Sequence, residues 1–339
     1  MLINIQILRG LAALWVFFHH SLAHFKAMGL SFLPFEWLAS LGYAGVDVFF
    51  VISGLVMAKT TENLKPGLAS GTLFISKRFL RIFFGYWPVL IISCLLIWYF
   101  DAGYFDTKNA FKSVLLIGIK AEELLVPPSW SLAFELYFYL IIGFVLIFKI
   151  KQISHVFLIL SLLIVIKINV IDFGVNELID VFFSHMIFEF IMGYYLWKFR
   201  AFICQKKFIV LLLLISVLTL YLAVKYYLVA TVWRPLVFGV FSVSILAMAM
   251  IKEGQINQII VKLLKPIGDS SYTLYLLHFV MLFMFFSSGF RTWMTDNGFA
   301  VVAFLMLILL TVIISYVFYL FVEKPLYNSL RWKIITQQK

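Results

Sequence analysis

Charge is what this chain has least of. Asp, Glu, Lys and Arg make up 13% of its 339 residues, about half the share that soluble domains carry. So little charge beside 64% hydrophobic residues excludes an ordinary soluble domain, because even a fold of about 300 residues leaves about a quarter of its surface in water. It also excludes a disordered chain, which is poor in aliphatic and aromatic residues. Cysteine is nearly missing. Cys94 and Cys204 are the two present, too few for a disulfide scaffold or a cysteine metal centre, and each reads as an ordinary buried thiol. Internal repeats, low-complexity tracts and soluble-domain segments are missing too. The loops are short, the longest running over 60–81 and 101–129.

What the chain does have is apolar length, rich in aromatics: 38 Phe, 16 Tyr and 9 Trp. A bilayer core of about 30 Å needs about 20 mostly apolar residues per helix. Ten segments qualify: 5–25, 42–58, 82–100, 130–148, 154–171, 180–197, 208–224, 231–251, 271–290 and 299–322. The expected fold is all-α, a polytopic transmembrane bundle of about 10 spans. Residues 1–330 form one membrane domain and 331–339 a short cytoplasmic tail. The apolar piece 111–119 is too short to cross and reads as interfacial or re-entrant. The first segment does not read as a cleaved signal peptide, since Arg9 lies within it and no small-residue cleavage pattern follows.

The sequence carries 27 Lys and Arg against 16 Asp and Glu. In a membrane chain the useful question is which side holds the positive charge, not whether nucleic acid binds it. With a cytoplasmic amino terminus, the outer segments keep only Lys26, Lys108, Lys112, Lys120, Lys167, Lys225, Arg234 and Arg291. The rest fall inside, including Arg331, Lys333 and Lys339. Both termini are therefore expected in the cytoplasm.

Ionisable residues in hydrocarbon cost about 2.5–3.5 kcal/mol each on insertion scales, so each needs a partner or a purpose. Arg9 and His20 are eleven residues apart, which leaves them about 20° apart on a helix and about 16 Å apart along it. They share one face, and His19 points about 100° away. Asp47 and Glu135 fall near the outer ends of their spans, at the depth of His20. A carboxylate there would orient the imidazole and raise its basicity; alternatively, Asp47 caps its own helix. Glu189 and His278 lie nearer the midplane. A single histidine is most often a packing residue, but several ionisable groups at one depth point to a polar cavity open toward the outer half. Lys77, Arg78 and Arg81 open the third span, either as a positive-inside anchor or as a phosphate site, since arginine grips phosphate oxygens in pairs.

These residues fall into blocks. The stretch around Arg9 and His20 has an Arg, ten residues, His spacing. Asp47, Ser53 and Gly54 lie in the block GYAGVDVFFVISGLVM, from Gly42 to Met57, and Phe74, Lys77, Arg78, Arg81 and Ile82 form a Phe-x-x-basic-basic-x-x-Arg-Ile block. Trp130, Ser131, Leu132 and Glu135 make a Trp-Ser-Leu-x-x-Glu block. Closing blocks surround His278 and Lys324. In this order they resemble the acyltransferase-3 family of bacterial integral membrane acyltransferases over essentially the whole chain. Gln6 and the stretch around Glu189 resemble its branch acting on exopolysaccharides and other surface glycans. Departures are Lys77 in place of the first of two arginines, and Phe84 where the family has a proline.

The resemblance implies a multi-pass protein of the bacterial inner membrane. It implies transfer of an acyl group, most often acetyl, from cytoplasmic acetyl-CoA to a carbohydrate hydroxyl on a polysaccharide or lipid-linked oligosaccharide. No metal and no nucleic acid are expected; lipid is the other partner. On this reading Arg78, Arg81 and Lys77 bind the donor phosphates, and the pantetheine arm follows the first helix past Arg9. His20 is general base or nucleophile, oriented by Asp47 or Glu135. Arg9 binds donor or stabilises the oxyanion. The competing class is a transporter or flippase, because polar residues at mid-membrane also mark solute paths; the lack of inverted repeats counts against it.

Overall fold

A backbone in hydrocarbon must satisfy its own N–H and C=O groups, which a helix does within one segment. The computed structural model describes residues 2–118, 120–170, 177–226, 228 and 231–329. No strand occurs among the described residues. The helices are α1 (Ile3–Ala27), α2 (Leu33–Ser40), α3 (Ala44–Thr61), α4 (Leu68–Phe100), α5 (Ala110–Leu115), α6 (Trp130–Ile147), α7 (Ile153–Val170) and α8 (Glu177–Phe182). They continue with α9 (Ile187–Lys198), α10 (Arg200–Ile203), α11 (Ile209–Lys225), α12 (Val240–Ile251), α13 (Gln258–Asp269), α14 (Ser271–Ser287), α15 (Phe290–Asp296) and α16 (Ala300–Phe318).

Each of the ten expected segments overlaps helix among the described residues. Six described helices are long and apolar enough to cross a bilayer, and a seventh span results if the bent pair α13 and α14 is one crossing. The helix α1 is not among the six, because it carries Asn4, Gln6, Arg9, His19, His20 and His24. Three details differ from the expectation. The helix α4 begins at Leu68, well before 82, so the basic run lies inside it; nothing between 68 and 81 breaks a helix, but the segment is too polar to register as apolar. Residues 180–197 divide between α8 and α9, with the Ser184 hydroxyl accepting from the Met186 N–H at 3.2 Å in the break. A π-helical turn, Pro235–Gly239, precedes α12. The short segment at 111–119 contains α5, which ends at Leu116 in a left-handed conformation with φ 55°. Ile119 and the expected tail 331–339 lie outside the described residues.

The chain divides into two compact units: Met1–Arg9, Val46–Arg78 and Ala133–Val261 in the first, and Gly10–Gly45, Phe79–Leu132 and Lys262–Lys339 in the second. In the first, α3 and α9 meet backbone to backbone. A Cβ on Gly54 would lie 2.0 Å from the Phe190 carbonyl oxygen, and one on Gly193 would lie 1.9 Å from that of Val51. Apolar side chains give no net drive for helices to associate in lipid, so close packing across small residues takes that role. Phe50, Phe138 and Phe190 fill the space beside this crossing, with Phe138 and Phe190 rings 4.5 Å apart.

In the second unit, Gly10 of α1 abuts Gly268 of α13, where a Cβ would come 2.6 Å from the Gly268 nitrogen. Higher on α1, Phe17 packs with Leu282 of α14 and Leu307 of α16. Beyond it Phe25 and Met28 join Met294, Ala303 and Phe304. The result is that α1 and α14 run side by side, which decides what His20 meets.

Substituting Gly193 with Ala should therefore destabilise the protein by about 1–3 kcal/mol through overpacking, seen as a lower melting temperature of the detergent-solubilised chain. Gly67→Ala, where a Cβ has ordinary room, should leave it unchanged.

Candidate active site

Successive residues on a helix point about 100° apart, and His19 and His20 use that divergence. The His19 Nδ1 is 3.1 Å from the Ala39 carbonyl of α2, with Trp15 Nε1 donating to the Leu38 carbonyl at 2.6 Å one turn earlier. The His20 ring turns instead to α14, where its Nδ1 lies 3.0 Å from His278 Nε2. The two ring planes are 23° apart. His20 is exposed and His278 is fully buried. Phe17 meets the His278 ring edge-on at 6.2 Å and Tyr275 flanks it at 6.0 Å. Tyr275 is itself fixed by its hydroxyl, which donates to the Pro128 carbonyl and sits 2.9 Å from Ser131 Oγ. A motif serine thus steadies the wall of the histidine pair.

The first unit gathers the other expected residues. Asp47 has no exposed surface, and the Arg234 guanidinium grips it in parallel: Nε donates to Oδ1 and Nη2 to Oδ2, each at 2.8 Å. The contact the structure gives Asp47 is thus a two-pronged ion pair with Arg234. His185 lies within electrostatic reach of both partners, and so does Glu189. The Glu189 side chain packs on Gly239 of the π-helical turn, and neither of its buried oxygens has a hydrogen-bond partner among the described residues.

Glu135, half-buried, accepts a hydrogen bond from Ser53 Oγ at 2.8 Å and another from the Tyr139 hydroxyl. Residues 131, 135 and 139 are four apart on α6 and share a face. Arg78 packs its guanidinium on Tyr139 at 5.5 Å and on Phe74 at 5.4 Å, and donates to Thr60 Oγ1 at 2.9 Å. Three motif blocks therefore converge in one polar chain: Ser53, Arg78 and Glu135. Lys77 is the neighbouring half-buried cation on α4. Arg81, in the second unit, lies close to the Tyr319 hydroxyl together with Asp269 and Glu323. Arg9 is half-buried on α1.

At the end of α3, Glu62 accepts from Trp197 Nε1 at 3.1 Å and from Arg200 at 3.2 Å. That indole hydrogen bond, helped by Arg200, holds its carboxyl below the ordinary range.

Two functional contacts escaped sequence reading. Arg234 was counted as an outer-loop cation, although its place at the outer end of a span opposite an intramembrane Asp was a usable signal. His278 was noticed for its depth, but nothing in the sequence links it to His20.

Six long apolar helices, with a buried ion pair and a histidine pair among the helices around them, mark a multi-pass membrane protein. Residues 2–320 match the acyltransferase domain of the acyltransferase-3 family. The chain belongs to that family and is a membrane acyltransferase. No curated protein and no solved structure matches it.

Removing one partner of a buried ion pair strands the other. Arg234→Ala or Asp47→Ala should each cost about 3–5 kcal/mol. The double replacement Asp47→Leu with Arg234→Leu should cost less than either, as read by thermal unfolding in detergent.

Proposed function

We propose that this protein is an O-acetyltransferase of the bacterial inner membrane that moves acetyl from cytoplasmic acetyl-CoA to a hydroxyl of a surface or exported glycan. The observation that carries the reading is the exposed His20 ring, held at one nitrogen by a fully buried histidine and placed eleven residues beyond Arg9 on one helix face. A neutral imidazole titrates near pH 6.5 in water and so suits proton transfer at physiological pH.

In this reading His20 removes the proton of the acceptor hydroxyl as that oxygen attacks the thioester carbonyl. The carbon–sulfur bond breaks, the sugar ester forms, and the coenzyme thiolate leaves and takes up the proton as a free thiol. Arg9 binds the donor or steadies the negative oxygen of the tetrahedral intermediate. About 16 Å of helix rise separates it from His20, on the order of an extended pantetheine arm. The cationic groups of α4, Arg78 and Arg81 with Lys77, are those offered to the coenzyme phosphates, which arginine grips through paired N–H donors.

His20→Ala should lower turnover by about 10²–10⁴-fold, the usual contribution of positioned proton transfer, with normal expression and insertion. The assay is free-thiol release and glycan labelling from labelled acetyl-CoA by the purified protein. A transporter would give neither signal, and a fully active His20→Ala enzyme would refute the assignment. Arg81→Ala should raise the KM for acetyl-CoA with little change in kcat; an unchanged KM leaves Arg81 a membrane anchor.

A further inference from the structure

We infer that His278 is a positioning residue that fixes the tautomer of His20, accepting its Nδ1–H and leaving Nε2 bare. The inference rests on the proposed function, in which His20 is the base.

One hydrogen joins the two rings, and the 3.0 Å separation alone does not say which nitrogen carries it. The surroundings of His278 decide. Its Nδ1 is sealed from solvent, and no donor reaches it among the described residues. The polar groups that face its ring from α14 are the backbone carbonyls of Leu274 and Tyr275, one turn back, and Nδ1 is the ring nitrogen left after Nε2 meets His20. Carbonyls accept hydrogen bonds and cannot donate them. If His278 carried its proton on Nε2, its Nδ1 lone pair would be buried against those two oxygens. A lone pair buried against carbonyl oxygens is repelled by them and has no donor to relieve it, whereas an N–H there is attracted. With the proton on Nδ1, the N–H points at acceptors, even though neither offers a fully formed bond, and Nε2 is bare. The hydrogen between the rings then belongs to His20 Nδ1, and a neutral His20 has its lone pair on Nε2.

The ring of His278 is not free to turn over and undo this. Phe17 and Tyr275 wall it, and the Tyr275 hydroxyl is tied to the Pro128 carbonyl and Ser131. His278 thus does for His20 what an acceptor carboxylate does in a hydrolase triad, but without carrying a charge into the membrane. When His20 Nε2 takes the acceptor proton, the Nδ1–H bond to His278 persists and holds the imidazolium in place.

Two measurements test this. In the full-length detergent-solubilised protein with 15N-labelled histidine, imidazole nitrogen shifts separate protonated from bare nitrogens, and comparison with His20→Ala assigns the His20 signals. The expected result is a protonated Nδ1 and a bare Nε2 at neutral or mildly alkaline pH; the reverse pattern overturns the inference. The second measurement is kinetic. His278→Leu removes the acceptor and should lower kcat about 100-fold, the lower end of a positioned base's contribution, with the KM for acetyl-CoA within about two-fold of native. His278→Gln, whose amide oxygen reaches where Nε2 sat, should recover about ten-fold of that loss. Equal loss in both variants, or a His278→Leu enzyme with native turnover, overturns the positioning role. An active His20→Ala enzyme overturns the underlying function instead, so the two failures are told apart.

Discussion

Hydrocarbon offers no hydrogen bonds, so an ionisable side chain that enters it must bring its partner along. Everything specific about this protein's interior follows from that constraint. Asp47 and Arg234 enter as a pair with both carboxylate oxygens covered. His20 and His278 enter as a pair of a type that can be neutral at both members. Glu135 enters with two hydroxyl donors already on it. Glu189, with no donor on its buried oxygens among the described residues, sits beside the Asp47 pair rather than among aliphatic side chains. These groups make the helices specific partners for one another, which aliphatic side chains facing lipid cannot do.

Backbone proximity is what lets such short side chains meet. Hydroxyls and imidazoles reach only a few ångströms, so the helices that carry them must approach closely. Glycine supplies the approach. The contact of Gly10 with Gly268 brings α1 against the α13 and α14 pair near one end, and Phe17 with Leu282 and Leu307 continues it toward His20. In the other unit the Gly54 and Gly193 crossing binds α3 to α9, the two helices that carry Asp47 and Glu189. The glycine steps and the polar pairs are thus two parts of one arrangement. Losing the close approach would leave the polar groups facing apolar neighbours that cannot bond them.

Much of this was legible in the sequence because membrane helices need little more than length and apolarity. All ten expected segments overlap helix among the described residues. The helix α1 falls short of the apolar threshold for the same reason that it attracts attention as the bearer of chemistry. Boundaries were less legible: α4 runs on through Lys77, Arg78 and Arg81 because helix formation tolerates those residues while an apolarity criterion does not. The helical period placed Arg9 and His20 on one face from the sequence alone. What could not be read was pairing. His20 and His278 are 258 residues apart and Asp47 and Arg234 are 187. No local rule joins residues at such separations when most of the membrane-length helices are apolar on nearly every face and many faces are available for packing. The convergence of Ser53, Arg78 and Glu135 on one polar chain was hidden for the same reason, although each stood in a recognisable block.

The choice of a second histidine, rather than a carboxylate, to hold His20 has a physical reason in this setting. In water-rich active sites a buried aspartate beside the histidine is tolerable because nearby dipoles and solvent share its charge. Within a membrane protein that aspartate would require its own cation, as Asp47 does with Arg234, and the cation would then compete for the very contact meant to orient the base. A neutral imidazole avoids the conflict. On the proposed reading it accepts the Nδ1–H, adds no net charge at rest, and leaves charge to develop on His20 only while the acceptor proton is in transfer. On that reading the ionised pair serves packing within its own unit, and the neutral pair serves the chemistry within the other.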